Sequence, residues 1–98
     1  MDIKNSALKL SDRIIAWRRE LHQNPEVGFE LPRTEAMILR ELAKMGFKDV
    51  KSGMGGGGKN GSHGVCATLR GALPGKNLAL RADMDALPVV EDTGLPFA

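Results

Sequence analysis

Aromatic side chains are scarce in these 98 residues, which hold one Trp, three Phe and no Tyr. A core must therefore be assembled from Leu, Ile, Val, Met and Ala, without the large buried area that each ring brings. Cys66 is the single cysteine, which excludes an internal disulfide and suits a reducing compartment. Met1 to Leu21 lacks the apolar run of a signal peptide. Nowhere do apolar residues approach the roughly 20 in succession that a membrane span needs. The expectation is a cytoplasmic chain with no membrane partner. An excess of one charge is also missing, because 14 basic and 12 acidic residues are interspersed and leave a net charge of +2. That balance points to no nucleic-acid partner. The length suits one small domain or a piece of a larger one, able to bury about two thirds of its unfolded surface. A hydrophobic share of 42% is ordinary for a globular protein and argues against disorder throughout.

What is present begins with a helical stripe. Ile3, Ala7, Leu10, Ile14, Trp17 and Leu21 recur at spacings of four and three, the period of one apolar face, and most charges fall off it. The stripe is expected to pack on a core, and Asn24-Pro25 ends it because proline disfavours helical geometry in the residue before it. Pro32 opens a second helix with Glu35 in its first turn. Ile38, Leu42 and Met45 share its apolar face, Leu39 widens it, and Gly46 supplies a left-handed exit. The periodicity then changes. A short strand is expected over Phe47 to Ser52, another over Val65 to Arg70 and a third over Asn77 to Ala82. Pro74-Gly75 suits the centre of a type II turn, which makes the last two strands a hairpin. The fold class is α/β, two N-terminal helices followed by strands that include a hairpin.

Two nucleotide-binding patterns overlap in the glycine run. Gly53 to Gly58 satisfies G-x-G-x-x-G, and Gly53 to Lys59 satisfies G-x-x-x-x-G-K, but Asn60 stands where the phosphate loop needs Ser or Thr. Both patterns need a helix directly afterwards to hold phosphate, whereas this loop leads into a strand. A surface connection is the stronger reading. His22 and Glu26 form H-x-x-x-E, which lacks the paired histidines of a helical zinc site, so a capping or packing role is expected for His22. His63 is expected to be solvated, Cys66 to be a buried thiol, and Arg18 and Arg19 to lie on a solvated helix edge.

Asp83-Met84-Asp85 is the most informative segment. In an extended backbone, residues i and i+2 point to one face, so both acids look into the same space. Carboxylates brought together favour a bound cation, a raised pKa in one of them, or a strong donor such as Arg81. The same pattern also fits a solvated strand end with a turn.

Trp17-Arg18-Arg19-Glu20-Leu21-His22-Gln23-Asn24-Pro25-Glu26-Val27-Gly28-Phe29-Glu30, Arg33-Thr34, Leu42, Met45-Gly46-Phe47, Leu80 to Pro88 and Thr93-Gly94-Leu95-Pro96-Phe97 follow one another in a telling order. Together they resemble the opening of the amidohydrolase branch of the aminoacylase and carboxypeptidase-type metallopeptidases, which includes hippurate, auxin-conjugate and N-acyl-amino-acid hydrolases. The match covers nearly the whole chain. It implies a hydrolase, possessing a pair of divalent metals of zinc or manganese type, that cleaves the amide bond of small N-acylated amino acids or similar conjugates. It also implies a helix-flanked mixed-sheet catalytic domain interrupted by a smaller domain that often makes a homodimer. Residues 1–98 would be the first part of that catalytic domain, without the dimerisation domain.

The metal-binding Cys-Gly-His-Asp, the proton-shuttling Glu and the later ligating histidines of the family would lie beyond Ala98. No metal ligand is expected within this chain. In the wider family a His-x-Asp motif occupies the place of Asp83-Met84-Asp85, with its Asp supporting the metal-bound His from behind. The resemblance thus makes Asp85 an orienting carboxylate, and it assigns Asp83 no clear role because a His stands there in the family. The glycine loop from Gly55 to Gly64 is longer than the family usually has. The isolated chain is expected to be inactive. Two alternatives stay open. One is a free-standing interaction module of the same partial fold, whose exposed sheet edge and apolar face favour self-association. The other is a nucleotide-binding protein using Gly53–Lys59.

Overall fold

The computed structural model describes residues 2–55 and 62–98. Along the chain run α1 (Ile3–Lys9), α2 (Ser11–Gln23), α3 (Pro32–Lys44), β1 (Asp49–Met54) and β2 (Gly64–Thr68). The described part is a small α/β unit of three helices and one two-stranded antiparallel hairpin.

The first helix of the sequence reading is divided at Leu10, whose backbone has φ −91° and ψ −4° and whose N–H reaches back to Ala7 at 3.0 Å. The i→i−3 bond tightens the turn. Asp2 caps α1 through its carboxylate, which accepts the Asn5 amide at 3.2 Å. Ser11 and Asp12 then supply residue types that favour a helix start. The apolar stripe does not enter a core as expected: Ile3 is 75% exposed and Ile14 50%. Only its C-terminal end, Trp17 and Leu21, is half-buried. Two side-chain links join that end to α3, Trp17 Nε1 donating to Glu41 Oε1 at 2.8 Å and Arg40 pairing with Glu20 at 2.8 Å.

α3 begins at Pro32 and lies against both strands. Among the described residues the buried ones are Leu31, Thr34 and Met37, three apart along one helix face. Thr34 stands one turn before Ile38, so the buried face overlaps only in part with the Ile38, Leu42 and Met45 of the sequence pattern. Ile38 and Leu42 are half-buried, and Met45 is exposed. Gly46 takes the left-handed exit expected of it, with φ +89°.

The hairpin lies elsewhere than the sequence placed it. β1 pairs with β2 through Asp49–Thr68, Val50–Ala67, Lys51–Cys66 and Met54–Gly64, so its connection spans the glycine run. Between Lys51 and Met54 the register slips, and Gly53 with φ +66° provides the left-handed residue of a bulge. Gly64 faces Met54 so closely that a Cβ there would lie 2.6 Å from the Met54 carbonyl oxygen. Asn77 to Ala82 forms no strand, and Gly75 is not among the glycines with positive φ, so the type II turn is absent as well. The reason is the want of a ladder partner: Leu78 and Leu80 are 87% and 91% exposed.

Candidate active-site wall around Asp83 and Asp85

Extended backbone brings alternate residues to one side. Here residues 81–85 form no strand, and all five, Arg81, Ala82, Asp83, Met84 and Asp85, line one open cavity of about 380 Å³, with Phe29, Leu31 and His63 among its other walls. The cavity gathers the two acids without setting them apart from the residues between them. Of the three ways to accommodate two nearby carboxylates, the structure uses the donor. The Arg81 guanidinium lies 3.0 Å from Asp83 Oδ1 in an exposed pair. Asp85 follows on the same wall and is exposed. Its neighbour Ala86 donates its backbone N–H to the Glu26 carbonyl at 2.7 Å, which ties the acidic segment to the loop before α3.

His63 is not solvated. Its side chain is 13% exposed, and Nδ1 lies 3.5 Å from Glu35 Oε1 on α3. Neither ring nitrogen has a hydrogen-bond partner among the described residues. Glu35 also accepts the Gly53 amide at 3.3 Å, so one carboxylate faces both ends of the hairpin connection. Residues 56–61 of the glycine patterns, Lys59 included, lie outside the described residues. The described chain on either side belongs to two strands of one hairpin, whereas phosphate loops need a helix directly after the glycines.

His22 and Glu26 part company. His22 Nε2 lies 3.2 Å from Glu91 Oε1, while the Glu26 carboxylate accepts the Thr34 amide at 2.6 Å and the Arg33 amide at 3.1 Å. Gln23 donates to the Pro96 carbonyl at 3.3 Å, and the Arg19 guanidinium stacks over Phe97 at 4.0 Å. Arg19 is thus a docking residue for the segment Glu91–Phe97, not a bare solvated edge. Cys66 is exposed rather than buried. On β2 Val65 and Ala67 are half-buried beneath α3, and the residue between them points the other way. The roles of Glu26 and Glu35 escaped the sequence reading because both depend on partners that no local spacing marks.

The donors fail as a metal centre by themselves. Among the described residues no three His, Cys, Asp or Glu side chains come together as a metal site would require. What the wall offers is an exposed acid beside an arginine-paired acid, held in place by main-chain contact.

Over most of its length this chain is similar to the opening part of curated carboxypeptidases and deacetylases. It is 40% identical over 95 residues to thermostable carboxypeptidase 1 of Saccharolobus solfataricus, a match that takes in 97% of this chain and 23% of the relative. It is 38% identical over 87 residues to N-acetyldiaminopimelate deacetylase of Listeria monocytogenes, covering 89% of this chain and 22% of that protein. A Rhodococcus jostii protein provisionally named glutamate–cysteine ligase 2-3 is 42% identical over 85 residues, 87% of this chain and 10% of its own length. The chain therefore spans under a quarter of the length of these curated relatives. No family model and no solved structure matches it. Among the described residues no helix is long and apolar enough to cross a membrane.

Proposed function

We propose that residues 1–98 are the opening part of the catalytic domain of a metal-dependent amidohydrolase, which hydrolyses the amide bond of small N-acylated amino acids or similar conjugates. The observation that carries the reading is the similarity to a carboxypeptidase and a deacetylase along 97% and 89% of this chain but only 23% and 22% of theirs. In that reading Asp85 supports a metal ligand contributed from elsewhere in the polypeptide, and Asp83 is neutralised by Arg81. A pair of zinc- or manganese-type ions, a smaller dimerisation domain and a homodimer belong to the whole enzyme. In that reading the ligands lie elsewhere in the polypeptide and the isolated chain is inactive; among the described residues no metal site assembles.

The test compares this chain with a longer polypeptide read from the coding sequence after Ala98. The longer protein should hydrolyse N-acetyl or N-benzoyl amino acids and lose that activity to a chelator, while the 98-residue chain shows neither turnover nor stoichiometric zinc or manganese. Metal binding and turnover by the short chain alone would overturn the reading.

A second reading is favoured by one observation. Leu73, Leu78, Leu80 and Val90 are each at least 85% exposed, and a surface of that kind suits burial against another copy of the chain. Light scattering after size exclusion separates the two. A dimer that dissociates on dilution supports an interaction module, and a monomer at all concentrations removes it.

A further inference from the structure

Glu26 accepts hydrogen bonds in two directions. Its carboxylate takes the backbone N–H groups of Thr34 and Arg33 at 2.6 and 3.1 Å, and its carbonyl takes that of Ala86 at 2.7 Å. The side-chain bonds answer a need of α3. Leu31, at the N-cap, provides no side-chain cap, so the first amides of the helix would otherwise lack acceptors. A carboxylate there also meets the positive end of the helix dipole. Arg33 strengthens the junction by donating Nη1 to Asn24 Oδ1 at 2.7 Å, which fixes the loop two residues ahead of Glu26.

The main-chain bond serves a different partner. Among the described residues, Ala86 is the one amide of residues 69–98 that bonds to backbone outside that segment. Side-chain ties lie away from it, Arg70 with Asp49 at one end and, at the other, His22 with Glu91, Gln23 with the Pro96 carbonyl and Arg19 over Phe97. Among the described backbone hydrogen bonds, the nearest that refers Asp85 to the start of α3 thus passes through Glu26. We propose that Glu26 is a positioning residue: by anchoring itself on the α3 N-terminus it sets where Asp85 stands on the cavity wall. Its catalytic consequence rests on the reading of Asp85 as a supporting carboxylate, whereas the mechanical coupling stands apart from that reading.

Amide hydrogen exchange followed by NMR tests the coupling in this chain and in Glu26→Ala and Glu26→Gln. Removal of a cap speeds opening by about fivefold, and the expected result is that Ala86 accelerates together with Arg33 and Thr34. The glutamine, which keeps one acceptor, should give a smaller effect on the same three amides. A merely local cap would release Arg33 and Thr34 and leave Ala86 unchanged, which overturns the proposal. An Ala86 amide without protection in the unsubstituted chain overturns it too. Should the alanine variant lose protection at Leu42 inside α3, the glutamine variant decides by the same comparison. In the longer enzyme, Glu26→Gln should lower kcat with KM unchanged. Intact exchange coupling without that loss would sink the assignment of Asp85 and leave the coupling standing.

Discussion

Glu26 and Glu41 are carboxyls whose surroundings favour the charged form. Burial raises the Glu26 carboxyl, but the amides of Thr34 and Arg33 and the charge of Arg33 together hold it below its ordinary 4.5. Glu41 is lowered from the same value chiefly by the Trp17 indole N–H, with Lys44 and Arg40 assisting against desolvation. A carboxyl whose folded pKa is depressed contributes stability above its unfolded value, and that contribution is lost as pH falls through the folded one. The urea midpoint should therefore hold level from about pH 7 to pH 5 and decline below about pH 4.5. Glu26→Gln should start lower at neutral pH and decline less in acid. An unchanged acid slope in that variant would show that Glu26 does not supply it. Cys66 makes a separate case at the same scale. Its thiol is exposed, so an aromatic disulfide reagent should label it in the folded chain about as fast as in urea, within roughly a factor of ten. Strong protection of the folded thiol would contradict the placement of Cys66 on the open face of the hairpin.

Element by element, local signals were legible where the chemistry is local. Pro32 and Glu35 mark the start of α3 and Gly46 its end, because each acts on the backbone beside it. The break at Leu10 was not legible, since the apolar period runs through it unchanged. Pairing was harder still. A Pro-Gly turn suggested the hairpin, yet strands are chosen by partners, and β2 pairs with β1 across the glycine run rather than with Asn77–Ala82. Of the candidate site, the sequence drew attention to Asp83 and Asp85, which do line one cavity, but so do Ala82 and Met84 between them, so strand period does not account for the wall, and the Glu26–Ala86 bond joins residues far apart in sequence. The pairing that did form makes Gly64 sensitive. Gly64→Ala would place Cβ 2.6 Å from the Met54 carbonyl, where backbone cannot yield easily. It should cost about 1–3 kcal/mol in urea unfolding. Gly71→Ala, which meets nothing within 4 Å, serves as the control. Equal stability of the two variants would remove the β1–β2 register.

At the scale of the molecule the chain is more open than its length suggests. The Cα radius of gyration is 15.8 Å, against about 13 Å for a compact domain of this size. Much of the difference lies after β2, where residues 69–83 are exposed without exception and carry neither helix nor strand. Backbone with few buried contacts opens readily and is where proteases cut first. Limited trypsin digestion should therefore cleave after Arg70, Lys76 and Arg81 before it reaches Arg40 or Lys44 in α3. The longer enzyme makes the contrary prediction for the same bonds. If Asn77–Ala82 gains strand partners there and Leu78 and Leu80 are covered, Lys76 and Arg81 should resist trypsin at least tenfold longer, on the order of what one or two kcal/mol of local protection provides. Equal susceptibility in both polypeptides would mean that this segment never enters a sheet, and Asp85 would then lack the rigid support that its proposed role requires.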